Sequence, residues 1–291
     1  MTLYDAVIAP LADYGFMRRA LVASLALSLG SGPVGVLLVL RRMSLTGDAM
    51  SHAVLPGAAI GFIAAGGLSL TAMSIGGIVA GLGVALLAGF VSRVSVLRED
   101  ASLASFYLTS LALGVLIISS RGSNIDLLHV LFGTILAIDA QALILIGAIT
   151  TVTLIALAAI YRPLIVECFD PAFLRAVGGR GSACHAVFLA LVVLNLVAGF
   201  QALGTLMAVG MMMLPAVTAQ LWARTVPAIM ICAAGIGAVC GLAGLLVSFH
   251  TGLASGPSII LAASVVYIAS LIGAPAGFLR QAVGFRRGSI A

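Results

Sequence analysis

The chain contains no lysine. Its net charge of +5 is therefore carried by arginine alone, and that one absence closes two classes of function. A P-loop of the GxxxxGK[ST] kind needs its lysine at the phosphates, so this chain does not hydrolyse ATP by that route. Schiff-base chemistry needs a lysine amine and is equally shut out. Charge of either sign is scarce, at 8% of residues. A soluble domain carries about 25%, so this surface could not be kept in water. The four cysteines, Cys168, Cys184, Cys232 and Cys240, show no CxxC or His-paired spacing. They read as small packing residues rather than metal ligands or disulfides. No HExxH is present, which removes a membrane metalloprotease of that type.

What is there is apolar: 62% of residues, in continuous runs that do not alternate. Alternation would suit a β-barrel; continuous runs suit helices that satisfy their own backbone inside a bilayer. The expected fold is an all-α polytopic membrane protein of eight to nine transmembrane helices. Candidate spans fall near 17–40, 48–66, 69–92, 101–119, 140–161, 183–200, 203–222, 226–249 and 257–278. The stretch after Arg18 and Arg19 is too long for a cleaved signal and should stay as a helix. Eleven arginines fall on odd-numbered loops and the C-terminal end, and three elsewhere. That bias puts the odd loops in the cytoplasm, the N-terminus outside and the C-terminus inside. The basic charge then belongs to cytoplasmic loops, not to a nucleic-acid surface. The expected organisation is one permease domain over 1–291. It has an interfacial segment at 1–15, a cytoplasmic loop at 162–182 and a cytoplasmic tail at 280–291.

Against this background Asp48 and His52 stand out. Spaced i, i+4, they share a helix face and could touch one ion, and ionisable groups at membrane depth default to function. Pro56 deprives the His52 carbonyl of its helical partner, adding a polar oxygen beside the pair. A second reading stands next to this one: Asp48 as the N-cap of its helix, with His52 bonded to it. Two ligands cannot close a zinc site, which takes about four, but a transport site must also release its ion. Asp126 and His129 form another same-face pair, and with His250 they are expected on the outer side. There they would either receive an ion or form plain polar contacts. His185 reads as structural, and Met207, Met211, Met212 and Met213 as packing. Leu55-Pro56 and Leu214-Pro215 break helices expected to run in opposite directions, a hint of an inverted repeat.

The loop after Tyr161 differs from the others. Asp170 is a good N-cap, Pro171 a good first residue and Gly178 a good stop for a short helix outside the membrane. Phe173, Leu174 and Val177 would be free to rest on headgroups or to meet a partner.

With these residues the chain resembles the permease subunits of ABC importers for zinc, manganese and iron. The RRM-x-L-x-GDA-x-SHA-x-LPG signature lies at residues 41–57 without a gap. Arg98-Glu99-Asp100-Ala101, Asp126-Leu127-Leu128, Phe169-Asp170-Pro171, Gly204-Thr205-Leu206, Leu214-Pro215-Ala216 and Ser255-Gly256-Pro257 follow in order. Ser119-Arg121-Gly122-Ser123-Asn124 and Leu128-His129-Val130 bring the likeness closest to zinc-import permeases. The chain departs from the family near its end. Thr251, Gly252 and Leu253 replace a segment that often holds an acid, so His250 would have to compensate.

The resemblance implies a multi-pass permease of the bacterial plasma (inner) membrane, with no permanently bound cofactor and no enzymatic activity of its own. Its cargo would be a divalent metal, zinc first and then manganese or iron. It also implies partners: an ATP-binding cassette ATPase on a separate chain, a soluble metal-binding protein outside and a second copy of the permease. The coupling helix would comprise Phe169, Asp170, Pro171, Phe173, Arg175 and Gly178. The metal path would run through Asp48 and His52, with His250, His129 and Asp126 as further candidates. The competing expectation is an ion-coupled secondary transporter, whose uptake would continue without any ATPase.

Overall fold

Inside a bilayer an unbroken apolar run has one way to pair its backbone groups, and this chain takes it repeatedly. In the computed structural model the elements among the described residues are all α-helices. The structure describes residues 4, 8–67, 69–96, 99–120, 138–170, 173–174 and 181–276. A short α1 (Ala9–Asp13) leads into α2 (Gly15–Leu40), α3 (Ser44–Ala64), α4 (Leu70–Val94) and α5 (Glu99–Ser120). Then come α6 (Ala140–Phe169), α7 (Gly181–Leu203), α8 (Thr205–Trp222), α9 (Val226–Thr251) and α10 (Ser255–Gly273).

Seven of these, α2, α4, α5, α6, α7, α9 and α10, are long and apolar enough to cross a membrane. The remaining two long elements are α3, which carries Asp48 and His52, and the shorter apolar α8. They are also the two helices with the Leu-Pro breaks, at Pro56 and Pro215.

α2 lies antiparallel to α9. Its N-terminal half shares a core cluster with Leu245 and Phe249, and Val36 packs with Ile229 and Ala233. The packing repeats. α3 packs on α4 and α5, and α8 packs on α9 and α10. α2 crosses to α8 and α9, while α7 crosses to α3 and α4. With the single helix α6 between the two groups, α2–α5 and α7–α10 run in opposite senses, as an inverted repeat requires. Asn195 of α7 donates across to Thr153 Oγ1 of α6 and, within its own helix, to the Leu191 carbonyl, both at 2.8 Å. Thr150 donates to the Ala26 carbonyl at 3.0 Å, so α2, α6 and α7 are tied by polar contacts away from water.

Small residues set how closely α3 approaches α4. A Cβ on Gly57 would collide with the Gly76 carbonyl, and one on Gly61 with the Ala72 carbonyl. Backbone-to-backbone contact of this kind is how helices gain packing in a bilayer, where lipid is as apolar as leucine. Gly57→Val is expected to lower stability by about 1–3 kcal/mol, the usual cost of overpacking. Thermal unfolding in detergent checks this. Gly147→Ala, where an added Cβ meets nothing within 4 Å, should leave the midpoint unchanged or raise it slightly, since interior helical glycine is less favourable than alanine.

Candidate metal path and partner-docking segment

The turn before α3 decides where Asp48 sits. Arg42 N–H donates to the Val39 carbonyl at 3.0 Å and Met43 N–H to the Leu38 carbonyl at 2.9 Å, a Schellman closure of α2. Residue 42 must then be left-handed, and Arg42 has φ 58°, the one non-glycine residue with positive φ among the described residues. The far end of α3 closes the same way with Gly66 at φ 68°. Because the reversal at Arg42 is so tight, α3 begins at Ser44, with Met43 before it making no side-chain cap. Asp48 is therefore the fifth residue of the helix and not its cap. The capping explanation is removed.

Asp48 Oδ1 and His52 Nε2 lie 3.9 Å apart, with their side chains 64% and 34% exposed. That is too long for a hydrogen bond. Two donors each ~2.1 Å from a shared tetrahedral ion would lie about 3.4 Å apart, so the pair is about half an ångström from that bite. His52 Nδ1 is buried with no hydrogen-bond partner. The imidazole is stacked on Tyr107 of α5, with ring centroids 6.2 Å apart and planes at 27°. α5 also seats against the broken turn. Ser110 donates to the Ala53 carbonyl at 3.2 Å, and a Cβ on Gly114 would sit 3.0 Å from Pro56 Cγ. Tyr107 and Ser110 gave no signal in the sequence, since nothing local pairs α5 with α3.

Among the described residues no group of three or more His, Cys, Asp or Glu is poised for a metal, so within one chain Asp48 and His52 stand as a pair. His250 occupies the last turn of α9, edge-on to Phe249, whose ring in turn meets Tyr14 at 5.3 Å. Since α9 is antiparallel to α2, His250 lies at the opposite end of the bundle from Asp48. The two are not brought together. Asp126 and His129 lie outside the described residues. Met207, Met211 and Met212 are buried in the core and Met213 packs against it.

α6 ends at Phe169, and Asp170 Oδ1 accepts the Phe173 N–H at 2.9 Å, the N-cap geometry expected of this residue. Phe169 and Phe173 are 68% and 56% exposed. Pro171, Arg175 and Gly178 lie outside the described residues. Just inside this segment Arg41 pairs with Glu167 at 2.8 Å and with His185 Nδ1 at 2.7 Å. His185 is thus structural, as expected, but its partner Arg41 comes from 144 residues away.

The profile of the ABC 3 transport family matches residues 13–274. The manganese import system permease protein ScaB of Streptococcus parasanguinis is 34% identical over 265 residues, 91% of this chain and 93% of that one. The chelated iron transport system membrane protein YfeD of Yersinia pestis is 31% identical over 270 residues, 93% of this chain and 89% of that one. A chain in the structure of PsaBC from Streptococcus pneumoniae in complex with Fab superposes with a TM-score of 0.85 at 30% identity. That superposition covers 98% of this chain and 100% of that one. The protein accordingly sits in the plasma membrane as a multi-pass subunit served by an ABC ATPase and a substrate-binding protein. The chain belongs to the ABC 3 transport family: it is an ABC-type metal permease and not an enzyme, and ATP hydrolysis is the work of a separate subunit.

Proposed function

We propose that the chain, as one permease domain, carries a divalent metal ion inward by alternating access, with Asp48 and His52 as a contact on the ion's route. The observation that carries this reading is the separation of Asp48 Oδ1 and His52 Nε2, 3.9 Å apart without bonding each other on a Pro-broken helix. Two donors hold an ion weakly enough to pass it on. A second permease copy presenting the same pair would bring the number of donors to four, the count zinc takes. The arginine bias sets the orientation, with the N-terminus outside and the C-terminus in the cytoplasm. Asp48 then belongs to the cytoplasmic half and His250 to the outer end. The segment beginning at Phe169 and Asp170 is the docking site of the ATPase, supported by two exposed phenyl rings on a capped turn.

Zinc is the first-choice cargo. Imidazole with carboxylate suits zinc, and the motifs around Ser119–Asn124 resemble those of zinc-import permeases. Manganese is the second reading, favoured by the 34% identity to a manganese import system permease protein. The same donors accept Mn²⁺ and Fe²⁺, so ligand type alone does not separate the three. Metal-dependent ATP hydrolysis by the reconstituted complex, compared across Zn²⁺, Mn²⁺ and Fe²⁺, is the test. Zinc is expected to give the largest stimulation. A larger response to manganese would transfer the assignment, and no response to any of them would end the metal reading.

A further inference from the structure

Arg41 belongs neither to the metal pair nor to the docking segment, yet each of its three guanidinium nitrogens has a partner, with Glu167 held as an ion pair rather than by a hydrogen bond. Nη2 meets Glu167 Oε2 at 2.8 Å, Nη1 meets His185 Nδ1 at 2.7 Å and Nε donates to Cys168 Sγ at 3.3 Å. Its face lies over the Phe188 ring, 4.8 Å from the centroid. An arginine offers only donors, so His185 Nδ1 accepts and that ring carries its proton on Nε2. The side chains of Arg41 and Glu167 are only 7% and 13% exposed. Glu167, Cys168 and His185 are metal-ligand types, but a fixed guanidinium among them repels any cation. The cluster is an ion lock, not a second metal site.

Its position in the chain gives it a further meaning. Arg41 caps the end of α2, and Arg42 beside it takes the strained left-handed conformation. α3 starts at Ser44 and reaches Asp48 one turn later. On the other side Glu167 and Cys168 are the last turn of α6, immediately before Asp170. His185 and Phe188 lie in the first turns of α7. One side chain thus joins the segment that faces the ATPase to the turn that launches the metal-binding helix. A buried charge cannot slide off its partners without being left unpaired, so the joint moves as a unit.

We propose that Arg41 is the positioning residue that transmits movement of the ATPase-docking segment to the Asp48/His52 pair, through Glu167 on one side and the strained Arg42 turn on the other. The proposal rests on the docking reading above and reaches one step past it. The test uses the full permease with its ATPase and binding protein in liposomes, reading zinc moved per ATP hydrolysed. The double variant Arg41→Met/Glu167→Met removes both charges while keeping length and apolar packing, a change that usually spares folding. Expected are normal co-purification of the ATPase, ATP hydrolysis within about twofold of wild type, and zinc moved per ATP lowered at least ~10-fold. Arg41→Lys, which keeps the charge but not the three-way fork, is expected to fall between. Wild-type zinc per ATP in the double variant would overturn the proposal. So would loss of the ATPase from the complex, since Arg41 would then belong to docking itself. Retention of the ATPase by variants of Phe169 and Phe173 would sink the docking reading instead, and the two failures are distinct.

Discussion

Asp48→Ala and His52→Ala, each in a permease that inserts normally, are expected to reduce metal uptake by on the order of 100-fold or more. Even groups that merely orient a metal ligand cost about 10–100-fold in affinity when lost, so loss of a donor itself belongs at or above the upper end. Misfolding is a weak rival explanation. Asp48 is 64% exposed and caps nothing, and substitutions at such positions usually change stability by less than about 0.5 kcal/mol. The His52 ring stacks on Tyr107, so its truncation removes some packing, and His52→Gln serves as the fuller-sized comparison. Uptake of the radioactive metal that best stimulates ATP hydrolysis by the complex, into proteoliposomes and normalised to inserted permease, is the measurement. Wild-type rates in both alanine variants would exclude the pair from the ion's route.

That expectation shows what the sequence made legible and where it stopped. Continuous apolar runs gave all nine long helices among the described residues, because membrane backbone has no alternative to internal pairing. The boundary at Asp48 was missed by one turn. A left-handed residue is ordinarily signalled by glycine, and here Arg42 holds that position, so the early start of α3 is hidden. Gly66 at the other end of α3 shows the usual signal. Spacing joined Asp48 to His52 because i, i+4 is local. It could not join Arg41 to Cys168, 127 residues on, since that contact exists only after α2, α6 and α7 have packed. Tyr107 falls in the same class: it meets His52 only because α5 leans on the Pro56 break. The site residues legible in the chain are those whose partners lie within one turn.

The inverted pairing of α2–α5 with α7–α10 gives the two proline breaks a common physical role. A proline inside a helix leaves a carbonyl unpaired and lets the helix bend there. Pro56 and Pro215 lie in α3 and α8, which also pack on each other and are the two long helices outside the seven that are long and apolar enough to cross a membrane. In α3 the break is a turn beyond His52, so bending there tilts the face that carries the donor pair. Asp48 and His52 both precede Pro56, so such a tilt carries the pair as one body, and side-chain rotation supplies the remaining half-ångström of closure between them. A helix that bends at the cargo but is clamped at its start by Arg41 can respond to the cytoplasmic end without unfolding.

The partner side carries the second large effect. The double variant Asp170→Ala/Phe173→Ala is expected to release the ATPase from the purified complex and to abolish uptake with it. Loss of an N-cap costs about 1 kcal/mol, here the bond that fixes Phe173 N–H on Asp170 at 2.9 Å. Truncation of an aromatic anchor at the centre of an interface costs about 2 kcal/mol or more. Together these approach about 3 kcal/mol, an affinity loss on the order of 100-fold. Both residues are exposed and outside the core clusters, so the loss stays local to this segment and the helix bundle should remain folded. Co-purification and direct affinity measurement give the answer, with Asp48→Ala as the contrast that keeps the ATPase but not the uptake. If the ATPase binds the Asp170→Ala/Phe173→Ala permease at wild-type affinity, the segment is a surface turn resting on lipid headgroups and the docking site lies elsewhere.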